Sequence, residues 1–148
     1  SFLHAGSEFL RSKSGIENSY ESPDSINAID WSLKTKSKDV FEYVKALIRL
    51  RKAHPAFRMI TAKDIADNIK FSDNLPDGLI SYTINGKQAG DSWSKIQIYF
   101  NGTGTKQNVV LSSKYWKAAV LHNTYRETNN EVVSYIDLKP YSCTILYQ

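Results

Sequence analysis

Lys95-Ile96-Gln97-Ile98-Tyr99-Phe100-Asn101-Gly102-Thr103-Gly104 decides the class of this fold. Ile96, Ile98 and Phe100 alternate with Lys95, Gln97 and Tyr99, the period-two pattern of a half-buried strand. The run ends on Asn101-Gly102-Thr103-Gly104, a cluster of turn residues. Reading outward, the same grammar repeats from about residue 57 to the end. Strands are predicted at 57–61, 67–72, 78–84, 95–101, 106–111, 116–121, 131–137 and 142–147. Turns are predicted at Asn74-Leu75-Pro76-Asp77-Gly78, Asn85-Gly86 and Thr128-Asn129-Asn130. Short strands at such spacing predict an antiparallel β-sandwich over residues 57–148.

Upstream lies one helix, predicted from Asp39 to Ala53. Val40, Val44, Leu47 and Ile48 fall at i, i+4, i+7 and i+8 and share a face. Ser37 is read as the N-cap, with Asp39 and Glu42 beside the positive end of the helix dipole. Pro55 stops the helix, because the residue before a proline is pushed out of the α region. Farther upstream, Ser12–Asn27 is a polar loop long enough to be functional or mobile. Before it, Ser1-Phe2-Leu3-His4-Ala5 reads as a strand broken at Gly6. A strand at residue 1 lacks neighbours, so the stretch reads as the middle of a longer chain.

Composition narrows the function classes. The chain has 148 residues, 41% hydrophobic and 23% charged, which suits a globular domain with its own core. A net charge of +4 is spread without a basic run, which argues against nucleic-acid binding. Cys143 is the single cysteine, so no internal disulfide forms, and there are too few cysteines for a zinc site. His4, His54 and His122 read as structural histidines, and no metal or cofactor is expected. No segment reaches transmembrane length, and no membrane partner is expected. There is no signal peptide; a piece of a longer chain would carry none, so cytoplasmic and secreted locations both stay open. Asn101-Gly102-Thr103 fits the glycosylation sequon, a tripeptide common by chance.

Two stretches carry a family resemblance. Phe2-Leu3-His4-Ala5-Gly6-Ser7-Glu8-Phe9-Leu10-Arg11-Ser12-Lys13, with Asn18-Ser19-Tyr20 and Ser22-Pro23-Asp24-Ser25-Ile26-Asn27-Ala28-Ile29-Asp30-Trp31, resembles type I pullulanases. These are debranching enzymes of the α-amylase superfamily, glycoside hydrolase family 13. Ala46-Leu47-Ile48-Arg49-Leu50-Arg51-Lys52-Ala53-His54-Pro55-Ala56-Phe57 is similar to the last barrel helix of that superfamily. Pro140-Tyr141-Ser142-Cys143-Thr144-Ile145-Leu146 looks like the final strand of the sandwich that follows the barrel.

The resemblance implies a mainly β chain in two parts. Residues 1–56 would be the last strand, loop and helix of a (β/α)8 barrel, and residues 57–148 a C-terminal antiparallel β-sandwich. The loop after the strand would border a glucan cleft at the C-terminal end of the barrel. The parent would be a retaining hydrolase of α-1,6-glucosidic branch linkages in pullulan, starch or glycogen. Such chemistry needs two carboxyl groups about 5 Å apart. The family takes them from barrel strands that have no counterpart here, and the chain has neither a His-Asp dipeptide nor an Arg-x-Asp. No catalytic residue is therefore assigned, and the chain alone is expected to be inactive. The motifs favour pullulanase over isoamylase or glycogen-debranching relatives.

The residues left as candidates for substrate binding are Glu8, Arg11, Lys13, Asn18, Tyr20 and Asp24. Arg11 and Lys13 could donate to sugar hydroxyls or pair with Glu8 and the loop acids. Glu8 could support the barrel or shape the cleft floor. Asn18, Tyr20 and Asp24 offer an amide, a stacking ring and a carboxylate, set against a loop that bonds its own backbone. Trp31 is read as core. Trp93 and Trp116 read as core, with a sugar-stacking platform as the alternative. The expected partners are an α-glucan in the parent, the rest of the barrel, and a second copy of the chain through the exposed N-terminal strand. The rival readings are a non-catalytic starch-binding module and a structural or assembly domain.

Overall fold

The structure is a computed structural model, and it describes residues 2–111, 116–126 and 132–148. The predicted turn at Thr128-Asn129-Asn130 lies outside the described residues. The chain divides into two compact units, Ser1–Ile48 and Arg49–Gln148.

The first unit is short helical pieces and loop. A 3-10 turn, Ser7–Phe9, is followed by helices α1 (Asp24–Asn27) and α2 (Ser32–Lys36) and by most of α3 (Lys38–Ala53). The strand expected at residues 2–5 is not formed: residues 2–4 have no regular structure and the chain turns at Ala5-Gly6. A strand exists through its ladder, and no ladder among the described residues includes this segment. Gly6 takes φ +94°, a value that favours glycine, and turns the chain into the 3-10 element. The long helix forms as predicted, one residue earlier, with the Ser37 carbonyl accepting the Phe41 N–H at 3.0 Å. Its face is rotated from the predicted one: Ala46 and Leu50 are buried, while Ile48 is 45% exposed.

The second unit begins where α3 ends. Arg58 closes that end, donating Nε to the Arg51 carbonyl at 2.9 Å and Nη2 to the Lys52 carbonyl at 3.1 Å. The strand predicted at 57–61 is instead a 3-10 turn, Pro55–Arg58, followed by helix α4 (Ala62–Asn68). Pro55 presets a helical φ at the first position. Thr61 caps α4 by accepting the Asp64 N–H at 3.0 Å.

Among the described residues nine strands follow: β1 (Ile69–Phe71), β2 (Leu79–Ile84), β3 (Ile96–Asn101), β4 (Gln107–Val110), β5 (Trp116–Leu121), β6 (Thr124–Tyr125), β7 (Val132–Val133), β8 (Tyr135–Leu138) and β9 (Ser142–Tyr147). All pairings are antiparallel. The large sheet runs β1-β2-β3-β9-β5-β6 with β7 also on β5, and β4 pairs β8 in a second, two-stranded sheet. The β5–β6 hairpin turns on His122 and Asn123 at φ 53° and 61°, the conformation a two-residue hairpin requires.

The core joins the two sheets. Leu79, Tyr99, Trp116, Ala118 and Leu146 of the large sheet pack with Leu111, Ile136 and Leu138. β3 is not half-buried as its alternation suggests, because it is a central strand covered on both faces: Ile96, Gln97, Ile98 and Tyr99 are all buried. Toward β1 the inner face turns polar. Gln97 donates Nε2 to Ser81 Oγ at 2.6 Å and accepts from Thr83 Oγ1 at 2.6 Å.

Asn101 locks the end of β3. Its Nδ2 donates to the carbonyls of Thr105 (2.8 Å), Lys139 (3.0 Å) and Leu138 (3.3 Å), while Oδ1 accepts from Thr103 N and Oγ1. The residue is 2% exposed, so the sequon asparagine is closed to modification in the folded chain. Burial pushes the Cys143 thiol up to about 11, which keeps it protonated at neutral pH.

Candidate functional site

The loop that follows the first turn is organised by one residue, Asn27. Its Nδ2 donates to the carbonyls of Ser19 (2.8 Å) and Ser22 (2.6 Å). Its Oδ1 accepts from Lys13 Nζ at 2.5 Å, and its own carbonyl accepts from Arg11 Nη2. Two candidate cations therefore converge on one residue, Lys13 on its side-chain oxygen and Arg11 on its backbone carbonyl. They do not pair with Glu8 or the loop acids. Arg11 Nη1 also donates to the Ala5 carbonyl at 3.3 Å, while Arg11 Nε is buried without a partner. Close packing against this side chain explains Gly6 a second way: a Cβ there would lie 2.7 Å from Arg11 Cβ.

The other candidates serve local backbone. Glu8 Oε2 accepts the Gly6 N–H at 3.0 Å, and Asn18 Oδ1 accepts the Tyr20 N–H at 3.2 Å. Asp24 opens α1, its carbonyl accepting the Ala28 N–H at 2.8 Å. Asp30 is held below the usual carboxylate value by the Ser32 side chain and then by the Ser32 N–H, which donates at 2.9 Å. Tyr20 and Trp31 stand out in solvent, 87% and 66% exposed. Trp31 is thus not core; it leans on buried Phe9 at a ring separation of 5.8 Å. The structure brings together Arg11 and Lys13 through Asn27, and Asn18 with Tyr20. It leaves Glu8 and Asp24 outside both groups.

A second polar cluster sits in the other unit, where His54 and Ala56, just past α3, meet the loop between β2 and β3. The Asp91 side chain is wholly buried. It accepts from the N–H groups of Ala56 (3.0 Å) and Trp93 (2.9 Å), and bonds His54 Nδ1 at 2.7 Å. Burial pushes its carboxyl up, but His54 and the two N–H donors together pull it further down, and the net shift is downward. His54 stacks on Trp93 at 3.5 Å, and Trp93 stacks on Tyr147 at 4.0 Å. Trp116 is 1% exposed. The Trp93–Trp116 platform is thus not available to a sugar: one ring is buried and the other is stacked against its own protein. His122 is held below its usual pKa by burial, then by Lys139 and Arg126, and lies in a hairpin turn. Among the described residues, no group of three or more His, Cys, Asp or Glu side chains could hold a metal.

These arrangements position loop and backbone through hydrogen bonds. Known proteins resemble this chain in sequence and fold. The sequence model of the pullulanase all-beta domain matches residues 65–124, from α4 through β6. Residues 65–124 thus match the pullulanase all-beta domain, and the relatives that match this chain are pullulanases and isoamylases. The chain is 44% identical to the pullulanase of Bacillus subtilis (strain 168) over 95 residues, 64% of this chain and 13% of that protein. It superimposes on the pullulanase from Bacillus acidopullulyticus with a TM-score of 0.88 at 36% identity, over 97% of this chain and 18% of that one. The pullulanase of Anoxybacillus sp. LM18-11, solved with maltotetraose, matches with a TM-score of 0.86 at 32% identity, over 99% of this chain and 21% of that one. The chain spans about a fifth or less of the length of these relatives.

Sequence reasoning missed Asn27 and Asp91 as the hubs of their clusters. Their types are common in loops, and their partners lie up to 37 residues away in the sequence. Asp91 did carry one signal: it stands two residues before an aromatic, in a loop between strands, where an Asx turn onto Trp93 is a standard option.

Proposed function

We propose that this chain is the C-terminal part of a glycoside hydrolase that cleaves α-1,6-glucosidic branch linkages in pullulan, starch or glycogen. In this reading residues 1–56 close the catalytic barrel and residues 57–148 form the flanking β domain. The observation that carries it is the superposition on solved pullulanases over nearly the whole chain, at 36% identity. The loop 8–30 borders the glucan cleft of the parent. There Arg11 and Lys13 hold the loop through Asn27, and Tyr20 stands free to meet a sugar face. The chain itself supplies no catalytic pair, and the parent's retaining chemistry depends on carboxylates outside it.

The α-glucan is the substrate of the assembled enzyme, and the rest of the barrel is the main partner. A stand-alone starch-binding module gains no support from Trp93 or Trp116, which are occupied as described. The test is a graft. Residues 1–148 replace the matching segment of the Bacillus subtilis pullulanase, and reducing ends released from pullulan are counted. The graft is expected to debranch, and the 148-residue chain alone to release nothing. A folded but inert graft, or a chain active by itself, overturns the reading.

A further inference from the structure

We infer that the outer face of the large sheet, at the end marked by Phe71, Ile80, Tyr82 and Phe100, is the surface on which the rest of the parent enzyme's barrel docks. The barrel as occupant rests on the function proposed above; the face and its apolar character stand on geometry. Direct cross-strand partners share a face of a sheet, and so do residues two apart in a strand. Phe71 pairs Tyr82, while Ile80 pairs Phe100, which in turn pairs Cys143. Ile80 and Tyr82 stand two apart in β2, so these side chains form one band across β1, β2, β3 and β9. The band lies opposite the core, which takes Leu79 and Tyr99 from the same strands.

The rings of the band meet each other: Phe71 and Tyr82 are 5.3 Å apart, and Tyr82 and Phe100 are 6.4 Å apart. Yet the band is bare. Phe71 is 67% exposed, Ile80 54% and Phe100 40%. A contiguous apolar patch of this kind marks a contact with another protein surface. A sugar or an ion would need convergent polar groups, and these five side chains carry no charge. The other end of the same face shows what belongs on it. Ile84 lies two residues beyond Tyr82 and pairs Ile96, which pairs Tyr147. There Ile84, Ile96 and Ile98 are buried, Trp93 stacks on Tyr147 and His54 stacks on Trp93. His54 directly follows α3, the helix that closes the barrel in the proposed parent. One apolar face is therefore covered at one end by the chain leaving α3 and is bare at the other. This chain covers only 18% and 21% of two solved pullulanases that it matches, so the parent has ample further protein to complete the cover.

The test is hydroxyl-radical footprinting read by mass spectrometry, on the free 148-residue chain and on the Bacillus subtilis graft. Phe71 and Phe100 are expected to be labelled in the free chain, and that labelling is expected to be lost in the graft. Full labelling of both rings in a folded graft overturns the proposal. So does a free chain that sediments as a dimer with both rings already protected, which assigns the face to a second copy. Footprinting does not depend on turnover, so a folded but inert graft sinks the proposed activity and still reads the face. A second measurement covers a graft that does not fold. The tagged 148-residue chain is co-expressed with the Bacillus subtilis pullulanase lacking the matching segment. The F71T/I80T variant keeps strand-forming residues at two exposed positions. It is expected to recover about tenfold less of that partner than the unchanged chain does. Equal recovery by the two, or none by the unchanged chain, overturns the proposal.

Discussion

Asn101 and Asn27 show how much one amide can hold. Each sits where several backbone carbonyls face inward, and each carries donors and an acceptor in one planar group. Replacing Asn101 with alanine strands the carbonyls of Thr105, Leu138 and Lys139 and frees the turn at Thr103. An unmet buried polar group costs roughly 1–3 kcal/mol. N101A is therefore expected to lose about 3 kcal/mol in urea unfolding followed by Trp116 fluorescence. Asn27 holds a loop rather than a core. N27A is expected to leave the global transition in place while amides of residues 13–27 exchange with solvent at least about tenfold faster. Equal exchange rates in the two proteins would show that Asn27 does not organise the loop. The sequence displayed both asparagines plainly. It could not display their work, because the partners come from segments that only the fold brings near.

At the scale of elements, legibility followed periodicity. The α3 helix was readable because its apolar spacing, its acidic first turn and Pro55 agree. Its buried face was misjudged, since a broad apolar stripe does not say which edge meets a neighbour, and Ile48 turned outward. Phe57-Arg58-Met59-Ile60 misled because a short apolar run suits strand and helix alike. The signal that could have settled it was adjacent: Thr61-Ala62-Lys63-Asp64 has the spacing of a capping motif, and Thr61 does cap α4. β1, β2 and β9 were legible from pattern and flanking turns. The opening strand was not, because strand character in Phe2–Ala5 needs a partner segment.

The contact of His54 and Ala56 with Asp91 should be acid-sensitive. Asp91 titrates below its ordinary value of 3.8 in the folded chain, so the unfolded chain binds its proton first as pH falls. Its contribution is complete above that ordinary value and disappears as pH drops through the lower, folded value. Urea midpoints measured from about pH 7 to about pH 2 should therefore fall steeply at the acid end. D91N is expected to be less stable at neutral pH and to show a shallower acid slope. An unchanged slope would mean that Asp91 is not the responsible carboxylate.

For the molecule as a whole, the division after Ile48 separates two kinds of construction. The second unit owns a two-sheet core with every member between Leu79 and Leu146. Among its described residues the first has one large buried side chain, Phe9, and a hydrogen-bonded loop. A chain shortened to residues 37–148, which keeps α3 entire, is expected to fold cooperatively. It should retain the near-ultraviolet signal of the Trp93 stack. A broad, non-cooperative melt would show that the β domain depends on residues 1–36. The resemblance to pullulanases was legible from motifs in residues 2–57, while the β architecture was legible from the last ninety residues.

The buried sequon has a practical consequence for production of the protein. In a eukaryotic secretory host, oligosaccharyltransferase inspects the nascent polypeptide before β3 finds β9, when Asn101 is still reachable. A sugar tree installed at that moment would occupy the very nitrogen that later must bond three carbonyls. Secreted material would then separate into an unmodified, folded fraction and a glycosylated one retained as misfolded, whereas bacterial expression would never meet the problem.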